Sequence, residues 1–136
     1  MAIEWTEKIA VGVELIDNQH KELFKRTNKL LDTCRNGGSE EEVMNSLSFM
    51  QEYVTKHLRD EEALQIKHDY PGFDEHKEQH KIFLEKVNDI KTDIDEKGAT
   101  LVNVLKTTNL FVSWLNKHIS HEDKKLGAFI ASQGNS

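Results

Sequence analysis

The chain has 136 residues, of which 37% are hydrophobic and 31% are charged, and its formal net charge is -6 at pH 7. This length predicts one domain, residues 1–136, with a buried core, and the composition suits helices that have one apolar face. No stretch is a basic block, which argues against a nucleic-acid partner, because binding phosphates needs clustered Lys and Arg. The single cysteine, Cys34, excludes an intrachain disulfide.

The first sixteen residues predict an extended lead-in. Its apolar side chains are expected to pack across the helices that follow: Trp5, Ile9, Val11 and Val13. The segment lacks the basic-then-apolar order of a signal peptide, and no stretch of the chain is apolar for long enough to cross a bilayer. We therefore expect a cytoplasmic protein with no membrane partner.

Two helices are predicted before the only proline. The first covers about residues 17–35, with Asp17 as its N-cap and two glycines after its end. The second covers about residues 39–67 and opens at Ser39, which forms a capping box with Glu42 three residues later. A Tyr-Pro-Gly turn then ends it.

Two more long helices follow, at about residues 74–96 and 100–118, and a short last helix is expected after Ser120. Each long segment has about 20 residues and the turns between them are short, so consecutive helices must run antiparallel. The sequence thus predicts an all-α fold. It is an antiparallel up-down-up-down four-helix bundle with an extended N-terminal lead-in and a short C-terminal helix.

Histidine spacing is the strongest chemical signal in the chain, which has 7 histidines. His57 and Glu61 lie four residues apart on the second predicted helix, and His76 and His80 lie four apart on the third. Four residues turn an α-helix by about 400°, so each pair shares a face and can bind one metal ion or two neighbouring ones. An isolated pair of this kind is more often a solvated helical face, so neither pair is decisive alone.

The antiparallel topology brings further histidines to the same level. His20 lies near the start of the first helix and His118 near the end of the fourth, so both fall at the end of the bundle that contains the two pairs. Five unpaired imidazoles in a core would each cost about a few kcal/mol of desolvation, which metal ligation removes. We interpret the cluster as a metal site, and His68 and His121 as non-ligands.

A carboxylate ligand is expected after His118, but the spacing leaves two choices open. Glu122 lies four residues later and would share its face if the helix stayed regular. Asp123 lies five residues later, about 140° away on an ideal helix. Its use would require the helix to unwind near Ser120.

Taken together, these motifs resemble the hemerythrin family, in particular its single-domain bacterial members, over nearly the whole chain. The stretches that carry the resemblance are Gly12-Val13, Ile16-Asp17-Asn18-Gln19-His20, His57-Leu58-Arg59-Asp60-Glu61, Tyr70-Pro71, His76-Lys77-Glu78-Gln79-His80 and Trp114-Leu115-Asn116-Lys117-His118-Ile119, with Asp123 five residues past the last histidine. One departure is Leu126, where many family members have a tyrosine. It leaves the ligand set intact and affects the packing near the last helix.

The resemblance implies a non-haem di-iron centre. The implied ligands are His76, His80 and His118 for one iron, His20 and His57 for the other, and Glu61 and Asp123 as bridges between them. An oxo or hydroxo group would complete the bridge. The resemblance therefore favours Asp123 over Glu122.

The same resemblance implies reversible binding of dioxygen, for transport, storage or delivery, and not an enzyme. Dioxygen would bind at the iron with two histidines. Phe24 lies four residues after His20, and Leu115 and Ile119 flank His118, so we expect these apolar side chains to line a dry pocket there; plain core packing also explains them, and both roles can hold together. The alternatives are an oxygen or redox sensor, a slow di-iron oxidase, or a protein that handles NO or peroxide. A zinc-only site is disfavoured because seven ligands exceed the four of tetrahedral zinc. A monomer or weak oligomer is expected, and no protein partner is indicated.

Overall fold

The computed structural model describes residues 4–98 and 100–134, and the regular elements within them are all helical. The four long helices are α1 (Glu14–Arg35), α2 (Glu40–Lys67), α3 (Phe73–Lys97) and α4 (Leu101–His118). A π-helical segment, Ile119–Asp123, joins α4 to a last helix, α5 (Lys124–Gly134), and a 3-10 turn, Glu7–Ile9, lies in the lead-in. Each long helix packs against the next, and α4 packs against α1. The predicted all-α four-helix bundle is confirmed.

Side-chain hydrogen bonds cap the N-termini of α2 and α4. Ser39 Oγ accepts from the Glu42 amide at 3.1 Å, and Glu42 Oε1 accepts from the Ser39 amide at 3.2 Å, so the predicted capping box is confirmed. The Thr100 hydroxyl accepts from the Asn103 amide at 3.2 Å. These contacts satisfy amide groups that have no partner in the first turn of a helix, and they fix where each helix starts after its short connection.

The start of α1 differs from the prediction, because the helix begins at Glu14 and Asp17 is not its N-cap. Asp17 lies in the first turn, where its carboxylate accepts from the amides of Val11 at 2.8 Å and Gly12 at 3.2 Å. Gly12 has a φ of 88°, a conformation that costs glycine little. Asp17 therefore binds the lead-in to the first turn of the helix, a role that differs from the N-cap predicted for it.

The lead-in packs across the bundle as predicted, through Trp5, Ile9, Val11 and Val13. Val11 lies in a small apolar cluster with Leu126 of α5, whose side chain is fully buried. A Cβ atom at Gly127 would collide with the Val11 carbonyl, so glycine permits the close approach of the lead-in and α5. Leu126, the departure from the family pattern, is thus a core residue of this cluster.

The main core lies between the four long helices and is formed by buried apolar side chains, among them Leu23, Leu47, Phe83 and Phe111. The predicted ligands lie at one end of this core, where α1 and α3 begin and α2 and α4 end. In the described part of the chain, no helix combines the length and the apolar character that crossing a membrane requires.

Candidate metal centre

Seven side chains meet in the buried end of the bundle where α1 and α3 begin. They are the seven predicted ligands, none more than 6% exposed: His20, His57, Glu61, His76, His80, His118 and Asp123. Every long helix contributes at least one of them, and the π-helical segment contributes the last. The structure thus brings together all the residues that the spacing and the resemblance singled out.

The π-helical segment Ile119–Asp123 determines which carboxylate faces the cluster. A π-helix has i→i+5 hydrogen bonds, so residues five apart lie nearly one above the other. Asp123 therefore shares the face of His118, and its Oδ1 lies 3.2 Å from His118 Nε2. Glu122 is partly exposed instead, with its Oε1 3.7 Å from Lys125 Nζ. The local unwinding that a role for Asp123 requires is present in the structure.

The five histidines form a three-histidine group and a two-histidine group, which are His76, His80 and His118, and His20 and His57. Glu61 faces both groups. Its Oε1 lies 3.0 Å from His76 Nε2 and 3.3 Å from His80 Nε2. Its other oxygen, Oε2, lies 3.2 Å from His57 Nε2.

Asp123, at the end of the π-helical segment, also faces both groups of histidines. Its Oδ1 lies 3.0 Å from His76 Nε2 and 3.2 Å from His118 Nε2, in the three-histidine group. Its Oδ2 lies 2.9 Å from His20 Nε2, in the two-histidine group. Each carboxylate therefore directs one oxygen to each group of histidines.

The donor atoms of the cluster fit a cation better than they fit one another. All four oxygens of Glu61 and Asp123 are buried without a hydrogen bond of good geometry to the described residues, although imidazole nitrogens lie within 3.3 Å. The ligand atoms of each histidine group and both carboxylates lie within 4.8 Å of one another. Buried lone pairs that converge without bonding to each other carry a desolvation cost that a metal ion removes. Imidazole and carboxylate donors suit iron and other divalent transition metals.

The electrostatics of the cluster favour a positive charge at its centre. Burial and the neighbouring Asp123 would raise the pKa of Glu61, but contacts with three histidines lower that pKa to about 2. Burial also opposes ionisation of Asp123, yet contacts with His118 and two other histidines hold its pKa well below the ordinary value. Burial would lower the pKa of His76, but the two carboxylates raise it to about 10. The cluster thus attracts a proton or a metal cation.

Three of the histidines contact polar side chains through their outer nitrogen, Nδ1. The pairs are His57 with Gln19 at 2.7 Å, His76 with Gln65 at 2.6 Å and His80 with Glu62 at 3.0 Å. Such partners orient imidazoles that bind metals. Sequence reasoning missed them. Gln65 could have been found, because it lies four residues after Glu61 on the same face of α2, whereas Gln19 has no periodic signal.

An aromatic stack covers the outer side of His118. The Trp114 ring stacks on the His118 ring with centroids 4.8 Å apart and an interplanar angle of 11°. Trp114 also stacks with Phe83, at 4.2 Å and 15°. The four-residue spacing of Trp114 and His118 on α4 is the signal that could have predicted this contact. The stack leaves His118 only 6% exposed.

The other positions named from the sequence lie outside this cluster. Within the described residues, the clustered ligand atoms include neither His68 nor His121. His68 follows the last residue of α2 and is hydrogen-bonded to α5, and His121 is exposed. The predicted pocket residues, Phe24, Leu115 and Ile119, are buried in the main core, and their role as a dioxygen pocket stays a prediction.

Comparison with known proteins identifies the family. Residues 11–130 match the model of the hemerythrin HHE cation binding domain. The chain belongs to the hemerythrin family. Bacteriohemerythrin of Methylococcus capsulatus is 32% identical over 132 residues, which cover 94% of this chain and 96% of the relative. Hemerythrin subunit alpha of Lingula reevii is 31% identical over 121 residues, 89% of each chain. Myohemerythrin of Sipunculus nudus is 26% identical, over 89% of this chain and 88% of the relative.

The family predicted from the sequence motifs is thereby confirmed. Membership of the hemerythrin family supports a di-iron domain that binds oxygen. The buried cluster of imidazoles and carboxylates is able to hold metal ions, in agreement with that membership.

Proposed function

We propose that this hemerythrin domain, residues 1–136, binds two iron ions and binds dioxygen reversibly as a carrier or store. One observation carries the proposal: Glu61 and Asp123 each direct one oxygen to the three-histidine group and the other to the two-histidine group. Two metal ions bridged by two carboxylates need this arrangement. When bound, a pair of ferrous ions supplies the two electrons that dioxygen takes up on binding and returns on release.

The ligand sets of the two ions differ by one protein donor. One set contains His76, His80, His118, Glu61 and Asp123, and the other contains His20, His57, Glu61 and Asp123. The set with one histidine fewer leaves one more position for an external ligand. We therefore place dioxygen binding beside His20 and His57.

The surroundings of the ligands favour binding over oxidation chemistry. Ferritin-like di-iron proteins use sets rich in Glu, with Glu-x-x-His motifs on two helices. This cluster has five imidazoles, which are neutral when they bind a metal, and only two carboxylates. Fewer anionic donors make high-valent iron less accessible, which disfavours cleavage of the O–O bond. Phe24, Leu115 and Ile119 are themselves buried apolar side chains, and as the lining of the dioxygen pocket they would limit the entry of protons and water.

The proposal is tested by iron content and the visible spectrum of anaerobically reduced protein, before and after exposure to air and again after degassing. We expect two irons per chain, with a charge-transfer band that appears in air and fades on degassing. If the two irons oxidise irreversibly, or consume peroxide or NO, the protein is an oxidase, a detoxifying protein or a redox sensor and not a carrier. Protein that takes up no iron would refute the proposal.

A further inference from the structure

A chain of hydrogen bonds connects His57 to the protein surface. Gln19 Oε1 lies 2.7 Å from His57 Nδ1, and Gln19 Nε2 donates to Asp60 Oδ2 at 2.7 Å. Lys56 Nζ donates to the same Asp60 oxygen at 3.1 Å. Gln19 and His57 are 3% and 0% exposed, whereas the Asp60 side chain is 37% exposed. The hydrogen bonds of Gln19 therefore connect the partly exposed Asp60 carboxylate to the buried His57.

The donor and acceptor properties of these groups allow one arrangement. The Asp60 carboxylate, paired with Lys56, can only accept hydrogen bonds, so Gln19 must turn its NH2 group to Asp60. The Gln19 carbonyl oxygen then faces His57, and because this oxygen can also only accept, His57 Nδ1 must carry a proton. In a neutral imidazole the other nitrogen is then unprotonated. That nitrogen, Nε2, is the one 3.2 Å from Glu61 Oε2.

We propose that Asp60 is a positioning residue for the metal centre, which acts through the Gln19 amide to keep His57 in the tautomer whose Nε2 can bind a metal ion. The proposal rests on the role of His57 as a ligand in the proposed function. Asp60 itself touches none of the seven ligands through a hydrogen bond in the described structure. Asp60 orients the side-chain amide of Gln19, and this amide determines which ring nitrogen of His57 carries the proton.

Gln65 shows what the same contact is like without such a carboxylate. Gln65 Nε2 lies 2.6 Å from His76 Nδ1, while Gln65 Oε1 is buried with no hydrogen-bond partner among the described residues. Nothing hydrogen-bonded to Gln65 there fixes its amide, so the protonation of His76 determines which way it turns. The tautomer of His57 is therefore determined by groups outside the ligand cluster, and that of His76 is not.

The test uses Zn(II) as a diamagnetic probe bound to the full chain labelled with 15N. Long-range 1H–15N spectra report which nitrogen of each histidine carries a proton and which binds zinc. We expect two zinc ions per chain in the wild type, with the His57 proton on Nδ1 and protected from exchange. Asp60→Asn can present either a donor or an acceptor to Gln19. It should abolish that protection and release one zinc ion to a chelator about 10- to 100-fold faster.

Two further variants separate the relay from a general loss of structure. Gln19→Met removes both hydrogen bonds at similar length and should have at least the effect of Asp60→Asn. Lys56→Met leaves the contact between Asp60 and Gln19 in place and should release zinc like the wild type. Because Asp60 is partly exposed, circular dichroism and the melting temperature of the metal-free protein should hardly change in Asp60→Asn.

The outcomes distinguish this inference from the proposed function. A wild type that binds fewer than two zinc ions, or binds none at His57, would refute the ligand assignment itself. If the wild type binds two and Asp60→Asn keeps both its His57 proton and its zinc release rate, the relay alone is refuted. An effect of Asp60→Asn without one of Gln19→Met would show that Asp60 acts by another route, and the proposal would again be wrong.

Discussion

At the end of the bundle away from the metal centre, buried polar side chains find partners close by in the chain. Thr107 Oγ1 donates to the Asn103 carbonyl at 2.8 Å, and Asn103 Nδ2 donates to the Gly98 carbonyl at 3.1 Å. At the metal end, Glu61 and Asp123 are just as buried. Their oxygens make no hydrogen bond of good geometry to the described residues.

The buried polar groups at the far end of the bundle are thus satisfied by the protein itself, whereas those at the metal end need a bound cation. Around Leu47, burial of apolar surface is the main source of stability. At the metal end, desolvated carboxylates cost free energy unless a positive charge compensates them. Metal binding should therefore stabilise the metal end above all, because the ligand atoms are assembled only in the folded chain.

The largest effect is expected at Asp123, which contacts both groups of histidines. Asp123→Ala should reduce iron from two per chain to less than one and remove the spectrum of a coupled pair. Glu122→Ala is the matched control, since Glu122 pairs with Lys125 and should leave the iron content unchanged. Elemental analysis and the visible spectrum provide the measurement. If Glu122→Ala lost iron and Asp123→Ala did not, Glu122 would be the ligand and the assignment of Asp123 would be wrong.

A second prediction concerns the opposite end of the bundle. Leu47 is 1% exposed in the main core, so Leu47→Ala should lower the free energy of unfolding by about 2–5 kcal/mol through lost burial and a cavity. The protein should still bind two irons. Denaturant unfolding and iron analysis on the same sample measure both effects. If Leu47→Ala lost iron as readily as Asp123→Ala, the two ends would not be independent.

A third prediction is the pH dependence of the metal-free protein. The pKa of Glu61 is lowered to about 2, so its contribution to stability is present above its ordinary pKa of 4.5 and is lost as pH falls below that value. The pKa of His76 is raised to about 10, so its contribution is full below 6.5 and is lost as pH rises from there towards 10.

Stability of the metal-free chain should therefore be greatest between the two ordinary pKa values, and melting temperatures measured across the pH range should show this maximum. Bound metal takes the place of the His76 proton, so loaded protein should keep its stability on the alkaline side. An alkaline loss of equal size in both forms would show that His76 is not the group responsible.

The smallest effect is expected from His68→Ala. His68 Nδ1 lies 2.9 Å from Gln133 Oε1, and Gln133 Nε2 donates to the His68 carbonyl at 3.0 Å. The substitution removes one exposed hydrogen bond to α5, worth about 0.5–1.5 kcal/mol or less. Iron content should stay at two per chain. A drop in iron would mean that the end of α2 belongs to the metal centre.

The sequence by itself determined the helices and the level of the histidines within them. Helix periodicity, the capping box at Ser39 and the turn before α3 are local signals, and the structure agrees with each of them. The spacings of His57 with Glu61 and of His76 with His80 follow from the same geometry. Because short connections make consecutive helices antiparallel, local rules were enough to bring the histidines to one end of the bundle.

The tertiary structure decided what local rules leave open. Regular α-helical spacing would orient Glu122 with His118, and only the π-helical segment brings Asp123 there instead. The sequence predicts that Asp17 caps a helix, but its carboxylate accepts from the amide of Val11 in the lead-in, and Val11 packs against Leu126 of α5. Gln19 carries no periodic signal, and its contact with His57 exists only because α1 and α2 pack side by side. Contacts between elements depend on how helices wind and pack, and a pattern along one chain segment does not contain that information.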